Sequence, residues 1–135
     1  MADLERKILD DLASARKHLE YSRAKVEKID LDRELGEEEL ETLESFSSRF
    51  ARYSDIIISK YLRFLARGKD PAFRGSVIDV LNAAEKFGWI DDAAAWRRIR
   101  ELRNVAAHEY EAEDYRELYR ELRRLCARLL AFEHE

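Results

Sequence analysis

Apolar residues recur along this chain at intervals of three and four, the repeat that gathers them on one face of an α-helix. The first stripe runs Leu4, Ile8, Leu12, Ala15, Leu19, Ser22, Val26 and Ile29. A second runs Leu40, Leu43, Phe46, Phe50, Tyr53, Ile57, Tyr61 and Phe64, and the last runs Tyr115, Leu118, Leu122, Leu125, Leu129 and Phe132. Each stripe must be buried against another helix, because charged residues fill the faces between. Around Ile56, Ile57 and Ile58 the second helix is apolar on more than one side. That helix is therefore expected either to be central or to face a second subunit.

Breakers divide the stripes. Gly36, Gly68, Gly75 and Gly88 are the only glycines and Pro71 the only proline, so the runs between them are free to stay helical. The pattern predicts helices over about 2–28, 37–66, 76–87, 91–109 and 113–132. Short connections make successive helices antiparallel neighbours. The expected fold is all-α, an up-and-down bundle of four long helices and one short one, forming a single domain over 1–135.

Composition narrows the class. With 46% hydrophobic and 40% charged residues, the chain suits amphipathic helices and is too apolar for disorder. No apolar run is long enough to span a bilayer, and the opening MADLERKILDDL lacks a signal peptide's apolar segment. Cys126 is the only cysteine, which excludes an internal disulfide and fits a reducing compartment. The expected location is the cytoplasm. Net charge is −4, so no global attraction draws the chain to nucleic acid. The charge is uneven, however. Residues 30–44 hold eight acids and one base, whereas 96–104 hold four arginines and one glutamate. A polyanion would meet the later segment and a basic partner the earlier one.

Several chemistries are missing. There is no glycine-rich phosphate loop, HExxH, CxxC or GxSxG motif. His18, His108 and His134 are too scattered for a structural zinc site, so neither metal nor cofactor is expected. Arg116, Arg120, Arg124 and Arg128 line one face of the last helix. Glu113, Glu117 and Glu121 each precede an arginine by three residues, a pairing distance, which makes that face a solvated one.

Residues 100–110, RELRNVAAHEY, are more informative. Asn104 and His108 are one helical turn apart and share a face. Arg103 lies five residues before His108, about 140° around the axis, and its long guanidinium can still swing toward the imidazole near a helix end. Val105, Ala106 and Ala107 are small enough to let another helix approach. Tyr110 falls where the helix should end, beside His108. Composition alone favours a plainer picture, in which His108 and Tyr110 cap the helix and Arg103 makes a surface pair.

The extended pattern Arg103-Asn104-Val105-Ala106-Ala107-His108-Glu109-Tyr110, set ahead of the final helix of a small bundle, resembles the HEPN superfamily. It is closest in kind to the HepT-like toxins and to the substrate-binding subunits of minimal nucleotidyltransferases. The resemblance in architecture covers nearly the whole chain, and residue similarity is concentrated between about Ser76 and Tyr115. Those families carry Arg-x4-His, often extended to Arg-x4-His-x-Tyr. A further polar residue upstream corresponds here to Asp55 or Arg49.

The resemblance implies a metal-independent endoribonuclease acting on RNA as a homodimer, with two motifs lining one cleft. It assigns His108 as general acid or base and Arg103 as phosphate clamp. The chemistry is suitable: histidine exchanges protons near neutral pH, and a guanidinium stabilises charge developing on a phosphoryl oxygen. Asn104 and Arg100 would bind substrate. Tyr110 would be the tyrosine to which a partner nucleotidyltransferase, acting as antitoxin, adds AMP. Two alternatives stay open. One is a non-catalytic nucleotide- or substrate-binding subunit of a minimal nucleotidyltransferase, using the same residues. The other is a helical adaptor without nucleotide chemistry.

Overall fold

In the computed structural model, which describes residues 2–108 and 115–134 (the side chains of 105–108 excepted), every long stripe becomes a helix. Helix α1 spans Ala2–Val26 and α2 spans Glu37–Asp55. The latter runs without a break through a π-helical segment, Ile56–Leu62, into α3, Arg63–Lys69. Then follow α4 (Val77–Lys86), α5 (Ala93–His108) and α6 (Tyr115–Ala131). The fold is all-α, with four long helical rods and one short one among the described residues. None of these helices is long and apolar enough to cross a membrane.

Boundaries follow local chemistry. Glu39 accepts the Gly36 N–H at 3.1 Å, and this bond and Arg33 together hold its carboxyl below the usual range. Ser76 and Asp79 form a reciprocal cap on α4, Ser76 accepting from the Asp79 N–H at 3.3 Å and Asp79 from the Ser76 N–H at 2.8 Å. At the other end of α4, Gly88 adopts φ +77°, which lets Gly88 N–H reach Glu85 O and Trp89 N–H reach Ala84 O. Helix α5 begins two residues later than the pattern predicts. Asp92 is its cap, accepting the Ala95 N–H at 3.1 Å.

The rod from Glu37 to Lys69 is central. It packs against α1, α5 and α6 through α2, and against α1 and α4 through the π-helical segment. Ile56, Ile57 and Ile58 are all buried within the one chain, which explains why this stretch is apolar on more than one side: helices cover it all round. Phe46 and Phe50 meet edge to face at its centre. Phe132 closes one end against Tyr61 and Trp96. Leu4 is the exception in its stripe, 52% exposed on the first turn of α1.

The arginines of α6 do more than face solvent. Arg124 pairs locally with Glu121, as expected. Arg116 instead donates to the carbonyls of Leu31 and Arg33, and Arg123 to those of Val26 and Ile29. Arg120 pairs with both Glu117 and Asp32, and Arg128 with Asp91. Arg116, Arg120 and Arg123 strap the acidic connection after α1 onto α6, where Ile29 and Leu31 enter the core, and Arg128 ties α6 to the connection before α5. The i,i+3 pairs predicted for Arg120 and Arg124 are present, and tertiary contacts made by Arg116, Arg120 and Arg128 are added to them.

Candidate active site

Two arginines three residues apart on α5 project toward α2, since residues at that spacing share a helix face. Between them stands Asp55, the last residue of α2. Its Oδ1 accepts from Arg100 Nη1 at 3.1 Å. Its Oδ2 accepts from Arg103 Nε at 3.0 Å and lies 2.9 Å from Arg103 Nη2. All three side chains are about one-third exposed, so the cluster is wet on one side and each pair contributes only modestly to stability. What the cluster fixes is direction. The Arg103 fork is held by one edge on the carboxylate, and its Nη1 donates to Asn104 Oδ1 at 3.2 Å.

The cluster forms a wall of an open groove of about 500 Å³, lined also by Asp11, Arg52, Ile56, Ser59 and Lys60. Four of its lining side chains are basic and two acidic, in a protein whose net charge is −4. The groove therefore concentrates positive charge that the whole chain lacks. A concavity of about 650 Å³ on the outer face of α2 is lined by Glu37, Glu38, Glu41 and Glu44 with Ser45, Ser48 and Arg49, and its excess of carboxylates disfavours phosphate.

Position in α5 is set by packing and by one strong tether. Trp96, Ile99 and Leu102 bury the inner face of the helix. On the other side Arg98 grips Glu121 of α6 through Nε and Nη2, both at 2.7 Å. The bond lowers the pKa of Glu121 and raises that of Arg98. With its inner face buried and one flank tied to α6, α5 presents Arg100 and Arg103 to the groove.

Of the residues singled out by sequence, Arg100, Arg103 and Asn104 lie together, and Asp55 joins them. Arg49 does not. It donates to Ser22 Oγ at 2.9 Å and to the His18 carbonyl at 3.3 Å, toward α1. The ion pair of Arg103 is a partly exposed one that joins α5 to α2. His108 is the last residue of α5, one turn beyond Asn104. Its side chain, and Tyr110 altogether, lie outside the described residues.

The family model described as "Ribonuclease HepT-like" matches residues 12–134. The chain belongs to that family, within the HEPN superfamily. No curated protein and no solved structure matches it significantly. In this HepT-like chain the matched span takes in the whole Asp55–Arg100–Arg103 cluster. Sequence reasoning missed Arg52, Ser59, Lys60 and Asp11 as groove residues. Arg52, Asp55 and Ser59 follow a helical repeat, a polar strip beside the buried Ile56, Ile57 and Ile58, and that signal is present in the pattern.

Proposed function

We propose that this protein is a HepT-like toxin of a toxin–antitoxin pair, a metal-independent endoribonuclease whose acting groups are Arg103 and His108. The observation that carries the reading is the Asp55–Arg103 pair. It fixes a guanidinium at a basic groove, on the helix that ends at His108, in a chain of a ribonuclease family.

In this reading a phosphodiester of RNA lies across the groove, with Arg103 donating to a non-bridging oxygen. The guanidinium gains strength as charge builds on the phosphoryl group in the transition state. His108 takes the proton of the adjacent ribose 2′-hydroxyl, and the oxygen attacks phosphorus. The bond to the 5′-oxygen breaks, and that oxygen takes up a proton. The products are a 2′,3′-cyclic phosphate and a free 5′-hydroxyl. In a homodimer with two motifs lining one cleft, one His108 accepts the proton and the other donates it. Arg100 and Asn104 contact neighbouring phosphate oxygens or hold Arg103 in place.

Tyr110 follows two residues after His108. A partner minimal nucleotidyltransferase that adds AMP to its hydroxyl would place a bulky anion beside the catalytic pair, blocking phosphate by repulsion and by volume. Co-expression with such an enzyme is expected to raise the mass of wild type by one AMP and to leave Tyr110→Phe unchanged.

The decisive experiment compares wild type and His108→Ala on single-stranded RNA with EDTA present. Cleavage to cyclic-phosphate ends by wild type, lost in the variant, supports the nuclease. If folded wild type cleaves nothing, the function moves to a nucleotide-binding subunit of a nucleotidyltransferase, with Arg103 and His108 as phosphate ligands.

A further inference from the structure

Beyond the Asp55 cluster, the groove does not end. Asp11, Ser59 and Lys60 line both the candidate active-site groove and a second one, of about 510 Å³, between the start of α1 and the π-helical segment with α3. The two concavities thus adjoin across a shared wall.

The second groove has a different chemistry. Its floor is apolar, with Leu4, Ile8 and Phe64, and its rim is basic, with Lys7, Lys60, Arg63 and Arg67. Asp11 is the single acid in the lining. Lys7 pairs with it at 3.1 Å and Lys60 stands 3.9 Å away, so one carboxylate is shared between two ammonium groups. Arg63 donates to the Gly75 carbonyl, which a guanidinium does without losing its charge. Arg67 is exposed on the last turns of the rod.

From Asp55 to Arg67 is twelve residues of helical rod, roughly 15–18 Å, enough for a few nucleotides. The exposure of Leu4, the one member of its stripe left out of the core, is what makes the floor apolar at the surface.

We infer that this second groove is the path of the substrate away from the scissile phosphate: a subsite for single-stranded RNA, with bases against Leu4 and Phe64 and phosphates along Lys7, Lys60, Arg63 and Arg67. An apolar platform beside a basic rim is the arrangement that single strands use, because every base has a stacking face and every linkage a charge. Continuity with the Arg103 groove favours RNA over an acidic peptide, which has no reason to run into the reacting site. The inference rests on the ribonuclease reading, and it adds where the substrate lies beyond the cleaved bond.

The test separates the two. Fluorescence anisotropy with a short single-stranded oligonucleotide lacking 2′-hydroxyls, which this chemistry cannot cleave, compares wild type with Lys7→Glu/Arg67→Glu. Both side chains are exposed, and equal melting temperatures check that the fold is kept. The double variant is expected to bind about tenfold more weakly or worse, with a log–log salt slope shallower by about 1.4, roughly 0.7 for each phosphate no longer neutralised. Unchanged affinity and slope, with His108→Ala still abolishing cleavage, overturns the subsite and leaves the nuclease standing. Weakened binding by a protein whose wild type never cleaves RNA supports the groove and removes the catalytic reading. Intact RNA binding in a double variant that no longer holds an acidic protein partner makes the groove a protein-docking surface and overturns the inference.

Discussion

Asp55 at the end of α2 holds Arg103 of α5 by two nitrogens of one guanidinium, at 3.0 and 2.9 Å, while its other oxygen takes Arg100. The carboxylate therefore serves two purposes: it neutralises part of the repulsion between two cations three residues apart, and it sets the plane of the Arg103 fork. Asp55→Asn keeps the shape but can offer only one accepting oxygen and no charge. If Arg103 acts on the scissile phosphate as proposed, RNA cleavage by this variant is expected to fall about ten- to a hundredfold in kcat, equivalent to about 1.4–2.7 kcal/mol of transition-state stabilisation, with KM changed much less. Steady-state kinetics on a defined RNA checks this. A rise in KM with unchanged kcat would assign Asp55 to substrate binding alone.

Arg103→Lys tests the fork rather than the charge. An ammonium keeps the positive charge but cannot engage the carboxylate, Asn104 and a phosphate oxygen in one plane. Cleavage is expected to drop roughly a hundredfold, close to the loss from Arg103→Ala, while the melting temperature stays within about 2 °C because the pair is partly exposed. Full activity in the lysine variant would reduce Arg103 to a source of field.

The elements were legible in the sequence because breakers are few and the stripes are long. Each long helix lies within about three residues of its expected span. Departures such as the later start of α5 trace to a cap, Asp92, whose role depends on where its carboxylate points. Arg103 stands out in the sequence as part of a motif, and the packing adds its partner Asp55. What the pattern could not supply was contact across long stretches of chain. Asp55 and Arg49 are equally eligible from sequence as the upstream polar residue; only the packing of α2 on α5 brings Asp55 to an arginine 48 residues later. The α6 arginines teach the same lesson in reverse. Glutamates at i−3 do pair with Arg120 and Arg124, yet Arg116 reaches a backbone carbonyl 85 residues away, and Arg123, which has no glutamate at i−3, one 94 residues away.

Gly88 carries a conformational cost that can be measured. Its φ of +77° closes α4, and no atom lies near enough to obstruct an added Cβ. Gly88→Ala therefore introduces backbone strain alone, about 1–2 kcal/mol. Chemical denaturation should show that loss with an unchanged denaturant slope. A loss under a few tenths of a kcal/mol would mean that the α4 end relaxes without cost.

The tether between α5 and α6 gives a prediction in acid. Arg98 lowers the pKa of Glu121 in the folded protein below the ordinary value of 4.5. A depressed carboxyl contributes stability above its unfolded pKa and loses it as pH falls through the folded one. Glu121→Gln is expected to be about 1 kcal/mol less stable than wild type at pH 7, and the gap should close as both are taken below pH 4. Denaturation at several pH values measures the difference, which subtracts the contribution of every other carboxylate. A gap that persists at low pH would make the contact one of shape rather than charge.

Cys126 gives the last prediction, at the opposite end of the pH scale. The thiol is fully buried on α6, and burial pushes its pKa from 9.0 up to about 12. The thiolate is the reactive form, so burial suppresses reaction twice, by excluding reagent and by withholding the anion. At pH 8 the native protein should leave a disulfide reagent uncoloured for as long as it stays folded, and release one equivalent of thiol in denaturant. The sign of the linked stability follows. The folded pKa lies above the unfolded one, so this contribution is fully present below pH 9 and is lost as pH rises from 9 toward 12, where the unfolded chain ionises and the folded one does not. Cys126→Ala removes that part of the alkaline slope while costing some stability at neutral pH through the small cavity it leaves. Prompt labelling of native wild type at pH 8 would show that α6 opens locally on the timescale of the reaction, and would place the weak point of the bundle at its last helix.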